Sequence, residues 1–254
     1  ENAGAMFQAA SQFNLLEMTS PNVTPEDGVG IYEFDHTQGP ACAIACGAGT
    51  VYRNYFVALD DQVGQTADRQ IDCLKDLGDA LGNEDGALWT MRNGYALLTP
   101  EGLAGLGSRL ALDAGALDGL RALLRIGVHR DVEVTSGGPG HCVTQVYGSA
   151  LPVAYGGGAP HLWAPLARLV LEASYEATVL AACENAEATG NDRVFLTLLG
   201  GGVFGNVNSW IFDALERALG TVSSSGLDVS IVSYGRSQAG VRDLVDHWSR
   251  GGQR

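Results

Sequence analysis

Lysine is almost absent from this chain of 254 residues: Lys75 stands alone, and the rest of the positive charge is arginine. Lys and Arg number 15 against 29 Asp and Glu, a formal net charge of −14. A chain so acidic repels phosphate backbones and anionic lipid surfaces, which argues against nucleic acid or membrane as its main partner. Residues 1–52 contain no Lys or Arg at all, yet carry Glu1, Glu17, Glu26, Asp27, Glu33 and Asp35. Solvated surfaces ordinarily mix signs. The block reads either as an acidic loop kept soluble by charge or as a pocket that repels anions and receives a cation such as guanidinium.

Other absences narrow the class further. The stretch 166–182 is interrupted by Arg168, Glu172 and Glu176, and no apolar run reaches the length of a membrane span. No secretory leader pattern is visible. The five cysteines are irregularly spaced and give no disulfide framework, which points to a reducing, cytoplasmic setting, a host cytosol reached by a delivered effector being the other compatible one. Cys42 and Cys46 can share a helix face, but without a second ligand pair they read as small buried thiols rather than a zinc site. No His/Asp/Glu cluster has ligand spacing, so neither metal nor other cofactor is expected. A serine nucleophile elbow is also missing: Gly148-Ser149 lacks the flanking pattern, and Asp35-His36 is left without a nucleophile, His36 reading as a loop residue. No repeat of 20–50 residues is present. With 46% hydrophobic and 17% charged residues, the chain is globular. It is expected to fold as one large domain, and as a monomer, with residues 83–155 as an inserted segment.

What is present is organised around residues 195–208. An apolar run ends at Gly200, Gly201 and Gly202, continues as Val203-Phe204-Gly205-Asn206, and gives way to a helical pattern with Ile211, Leu215 and Leu219 on one face. Strand, glycine turn and helix start together make an anion cradle, because glycines let backbone N–H groups approach an oxygen closely. The bland alternative is a tight βα turn.

Around this stretch the chain alternates. Propensity favours a helix over 3–10, and 13–18 suits a buried strand. Residues 19–30 are loop, and Pro40 sits where a small-residue helix begins. Residues 66–82 read as a helix with Thr66 as N-cap and Gly82 as stop. The stretch 88–98 reads as a hairpin turning at Asn93-Gly94. One or two helices fill 100–125, and short strands at 132–135 and 142–147 flank a glycine turn at 137–140. Residues 155–160 read as a linker. The longest helix pattern is 165–188, followed by the strand into the glycine loop, a helix over 210–219, a strand over 227–234 and a closing helical turn over 242–248. Alternating helices and apolar strands, with the loop after a strand, predict an α/β three-layer sandwich.

The Val203-Phe204-Gly205 turn resembles the second ligand loop of macrodomains, where a Gly-x-Phe-Gly turn wraps the diphosphate and distal ribose of ADP-ribose. In that family a final strand ends on an aromatic near the ligand, a place that Tyr234 takes here. The N-terminal block, with Gln8, Ala10-Ser11-Gln12-Phe13-Asn14, Leu16-Glu17-Met18 and Asp35-x-Thr37-Gln38-Gly39-Pro40, resembles an atypical macrodomain branch: hydrolases of ADP-ribosyl-arginine that include a bacterial effector acting on ADP-ribosylated ubiquitin. The helix stretch Ala173-Ser174-Tyr175-Glu176-Ala177-Thr178 completes the likeness, which covers both ends of the chain and little of 82–155. The Asn-Ala-Ala-Asn sequence usual in macrodomains is missing, as is the Gly-Gly-Gly-Gln-Glu-Glu pattern of poly(ADP-ribose) glycohydrolases. Serine-linked, glutamate-linked and polymeric substrates are thereby disfavoured.

The resemblance implies a macrodomain-like mixed sheet and an ADP-ribosylated protein as partner, ubiquitin being one candidate. Cleaving an N-glycosidic bond to arginine asks for carboxylates, to activate water, hold ribose hydroxyls and pair with guanidinium. The candidate catalytic residues are Asp35, Asp27 and Glu26. Glu17 is a ligand-binding or loop-holding group, and Gln12, Asn14 and Gln38 are candidates for orienting adenine, ribose or backbone. Gly200 to Asn206 would hold the diphosphate. Two other readings stay open: a non-catalytic reader of ADP-ribose, and a hydrolase of a free ADP-ribose metabolite such as its 1″-phosphate.

Overall fold

The protein is described here from a computed structural model covering residues 2–137 and 140–249. In chain order its elements are β1 (Met6–Ala10), α1 (Gln38–Ala45), α2 (Gly47–Tyr55), β2 (Ala58–Leu59), β3 (Gln62–Val63), α3 (Lys75–Leu81), β4 (Trp89–Arg92), β5 (Tyr95–Leu98), α4 (Pro100–Arg109) and α5 (Ala114–Arg121). There follow β6 (Gly127–Glu133), β7 (Cys142–Gly148), α6 (Pro160–Thr189), β8 (Arg193–Leu196), α7 (Asn208–Thr221), β9 (Asp228–Ile231) and α8 (Ala239–Ser249). Five strands form the main sheet in the order β6-β7-β1-β8-β9, parallel throughout except for the β6–β7 pair. The long α6 packs against β1, β7 and α7 on one face, while α1 and α2 cover β1 and β6 on the other. The fold is an α/β three-layer sandwich.

β1 is the central strand, although its alanines favour helix. Parallel neighbours on both sides bury Met6 and Ala9 completely, and that tertiary context outweighs propensity. Residues 13–18, expected as a strand, are instead a hydrogen-bonded loop in which Leu15 takes a φ of 63°. The expected helix over 66–82 is cut to α3. Its first half is held irregular by side chains: the Ile71 N–H donates to Gln65 Oε1 at 3.0 Å, and Gln70 exchanges hydrogen bonds with Asn14 and Asn93. Gly82 does end the helix, with a left-handed φ of 76°. The hairpin turns at Asn93-Gly94, both at positive φ, as the two-residue type I′ turn requires.

The stretch 83–155 supplies β6 and β7, so two of the five sheet strands come from it. Gly138 and Pro139 of the expected glycine turn, and Glu1 of the acidic block, lie outside the described residues. Among the described residues no helix is long and apolar enough to cross a membrane.

Candidate functional site

A cleft of about 730 Å³ opens where β1, β7, β8 and β9 end. Ala10, Gly148, Thr197 and Val232, each at or just beyond the carboxyl end of its strand, line it. Open α/β sheets offer their ligand crevice at this edge. Here the crevice arises because β8 pairs with β1 only as far as Phe7. Beyond that point β8 stays paired with β9 but parts from β1, and side chains take over the bonding on that side. Gln8 Oε1 accepts from the Thr197 N–H at 3.1 Å, and the Gln38 amide spans Gln8 O and the Ala10 N–H, both at 2.8 Å.

Thr197 begins the glycine loop, and Tyr175 of α6 sets its course. The phenol donates to Thr197 O at 2.7 Å and accepts from the Leu199 N–H at 2.8 Å. Its neighbour Ser174 donates to Ser149 O at 3.0 Å. Gly200 has φ 69°, and a Cβ there would stand 2.4 Å from Asn206 Nδ2, so glycine is required. Asn206 closes the loop by donating to Leu151 O at 2.8 Å. Backbone bonds within the loop engage the N–H groups of Gly201, Gly205 and Asn206. Those of Gly200, Gly202, Val203 and Phe204 donate to no acceptor among the described residues. Free amides on successive residues form an anion-binding nest. A Cβ on Gly202 would meet nothing within 4 Å, whereas one on Gly201 would press Ile211, so Gly202 is the glycine whose space is open.

Phe204 turns inward and joins Tyr95 and Tyr155 in a ring cluster with centroids 5.2 to 5.7 Å apart, one wall of the cleft. Tyr95 arrives there because the hairpin tip docks on the 12–18 loop. The Phe13 N–H donates to Gly94 O at 3.0 Å, and the Tyr95 hydroxyl donates to Met18 O at 2.7 Å. Burial first, then the nearby Tyr155 hydroxyl and Asp35 carboxylate, push the Tyr95 phenol up, so it stays a neutral donor.

The start of α1 also lines the cleft. A Cβ on Gly39 would lie 1.9 Å from Ala10 O, so only glycine lets the helix start so close to the end of β1. Asp35 is half-buried and lines the cleft as well. Its Oδ1 accepts from the Thr37 N–H at 2.8 Å, while Oδ2 meets no donor among the described residues.

Glu17, which also lines the cleft, belongs to a buried ion pair. Both Glu17 oxygens accept from Arg53 NH2 at 2.8 Å, and Arg53 also donates to Leu15 O at 2.9 Å and to the Tyr147 hydroxyl. The Tyr32 hydroxyl accepts from the Glu17 N–H at 3.1 Å. Burial pushes the Glu17 carboxyl up to about 7, with Arg53 pulling the other way.

Of the residues singled out from sequence, Gln12, Glu17, Asp35, Gln38, Gly200, Gly201, Gly202, Val203, Phe204 and Tyr234 line this one cleft. Their roles differ. Gln12 clamps its own loop, exchanging hydrogen bonds with Met18 N–H at 2.6 Å and Met18 O at 3.1 Å. Gly205 and Asn206 brace the glycine loop from behind. Tyr234 lies in the loop after β9, fully exposed. Three candidates lie elsewhere. Asn14 is completely buried, its amide spent on Gln70 and the Leu16 N–H. Asp27 accepts from the Thr24 N–H at 2.8 Å and caps a 3-10 turn. Glu26 accepts from the Ala67 N–H at 2.8 Å, tying that turn to the 65–70 loop.

No protein-family model matches this chain, and no curated protein matches it. The cleft also contains residues that sequence reasoning passed over: Tyr95, Tyr155 and Arg236. Arg236 is its one Lys or Arg among the described residues, exposed on the loop between β9 and α8. Tyr155-Gly156-Gly157-Gly158 had the local signal of an aromatic beside a glycine turn. Tyr95 and Arg236 had none.

Proposed function

We propose that this chain is an ADP-ribosylhydrolase of macrodomain type, which removes ADP-ribose from modified arginine in a protein, with ubiquitin as one candidate substrate. The observation that carries the reading is the cleft's polarity. The cleft combines free amides of the glycine loop and Arg236 with Asp35, whose second oxygen is uncommitted among the described residues. Amides and arginine suit a diphosphate. A carboxylate suits a guanidinium. The aromatic wall of Tyr95, Tyr155 and Phe204 suits a ribose or base lying against it.

In this reading water attacks the anomeric carbon of the distal ribose as its bond to the arginine nitrogen breaks. Asp35 takes the proton from water. The bonding electrons leave with the nitrogen as a neutral guanidine, which receives that proton and departs as arginine. Charge builds up on the ribose in the oxocarbenium-like transition state, and a carboxylate beside it lowers the barrier. Glu17, paired with Arg53, lies against Gly39 at the start of α1.

The reader alternative is favoured by one observation: Glu17 is committed to Arg53, which leaves Asp35 as the single carboxylate without a salt bridge among the described residues that line the cleft. A hydrolase of a free 1″-phosphate metabolite fits less well, since its terminal anion would face Asp35. The experiment that separates these readings presents arginine-, serine- and glutamate-linked ADP-ribosyl substrates and quantifies released ADP-ribose. Release from arginine is expected to exceed the other two by at least ~10-fold, the equivalent of ~1.4 kcal/mol of differential stabilisation. Equal release from all three would remove the guanidinium reading, and tight binding without any release would establish the reader.

A further inference from the structure

Most of the acidic block stays outside the cleft. Glu26, Asp27 and Glu33 stand exposed on the turns Pro25–Asp27 and Val29–Phe34. Residues 1–52 offer no Lys or Arg to balance them, and Arg53 is buried against Glu17. Arg69, two residues from the Ala67 that Glu26 holds, is paired with Asp61. The same region holds large apolar side chains in water: Phe34 is 77% exposed, Phe56 59% and Tyr52 49%. Single exposed apolar residues need no explanation, but a group beside uncompensated acids does. These residues share one layer. The Val29–Phe34 turn packs on both α1 and α2, and the Tyr55 hydroxyl accepts from the Val29 N–H at 3.3 Å. The layer reaches the cleft at Asp35, the neighbour of Phe34.

We infer that this acidic, aromatic face docks the protein segment around the modified arginine, and that the segment is itself rich in arginine and apolar residues. The inference rests on the proposed function and names the class of protein it acts on. Charge complementarity identifies the occupant: a surface with Glu26, Asp27 and Glu33 exposed, and its neighbouring Arg53 and Arg69 already paired, repels acidic partners and steers basic ones. The aromatics favour arginine over lysine, because the guanidinium plane stacks on aromatic faces. An ADP-ribosylated arginine entering the cleft beside Asp35 would carry its flanking residues over Phe34.

The test uses a short, unmodified peptide of arginine and leucine, labelled for fluorescence anisotropy and titrated with the full chain. Wild type is expected to bind it, more weakly as salt rises. The variant Glu33→Arg/Phe34→Ser should bind about tenfold more weakly. Glu187→Arg changes charge equally at an exposed site near the carboxyl end of α6, the end held to Gly4 through Asn185 and so remote from the cleft. It should bind as wild type does, and ADP-ribose affinity should be the same in all three proteins. The proposal is overturned if wild type does not bind the peptide, if the double variant binds equally well, or if the control loses as much. Release of ADP-ribose from arginine is read in a separate assay, so failure of the hydrolase reading remains distinguishable from failure of this face.

Discussion

Replacing Asp35 by alanine is expected to lower turnover of an arginine-linked substrate ~10²–10⁴-fold, while ADP-ribose affinity stays within about threefold of wild type. The asymmetry follows from where charge appears. On the proposed reading, ADP-ribose would be held by the loop amides, the aromatic wall and Arg236, and the substitution replaces none of these groups. The carboxylate would act on the proton in transfer from water and on the developing positive charge, both features of the transition state and not of bound ADP-ribose. Asp35 also fixes the Thr37 N–H at 2.8 Å, so Asp35→Asn, which keeps an acceptor oxygen there, separates chemistry from loop geometry. Turnover should fall in both variants. Single-turnover kinetics with calorimetry on the same samples makes the comparison. Unchanged turnover in Asp35→Ala would reduce Asp35 to a turn residue.

The second large effect lies beneath the site. Arg53→Met should destabilise the fold by ~3–5 kcal/mol, because it leaves the Glu17 carboxylate buried without its partner. The double variant Glu17→Gln/Arg53→Met should recover part of that loss, since neither buried charge remains. The pH dependence has a definite sign. Glu17 has a folded-state value raised from 4.5 to about 7, so its contribution to stability is fullest below 4.5 and is lost as pH rises through about 7. Wild type should therefore lose stability between pH 5 and pH 8 relative to Glu17→Gln, which has no group to titrate there. Urea melts at the two pH values read this directly. Parallel behaviour of the two proteins would mean that Glu17 is charged throughout.

Elements specified by local chemistry were legible in the sequence. The Asn93-Gly94 turn demands positive φ twice, Gly82 accepts the left-handed stop, and the apolar run into three glycines carries strand, loop and helix start in one stretch. β1 was not legible, since five residues with alanine at two positions become a strand only when β7 and β8 lie alongside. The cleft was half legible. Asp35, Gln38 and the glycine loop sit in recognisable blocks, whereas Tyr95, Tyr155 and Arg236 arrive from three separate places. Asp27 had a readable alternative that was passed over: Thr24-Pro25-Glu26-Asp27 has capping-box spacing, with the acid three residues after the threonine. Glu26 had no such signal, because its partner Ala67 is 41 residues away.

On the proposed function, the glycine loop holds the diphosphate of ADP-ribose. Heteronuclear NMR on the isotopically labelled chain, titrated with ADP-ribose, measures it at the atoms concerned. The amide signals of Gly200, Gly202, Val203 and Phe204 should move together and saturate on one binding curve, and adenosine without phosphates should leave them in place. Loop amides that stay still while ADP-ribose binds elsewhere, or that never respond to it, would rule out the loop as the diphosphate site.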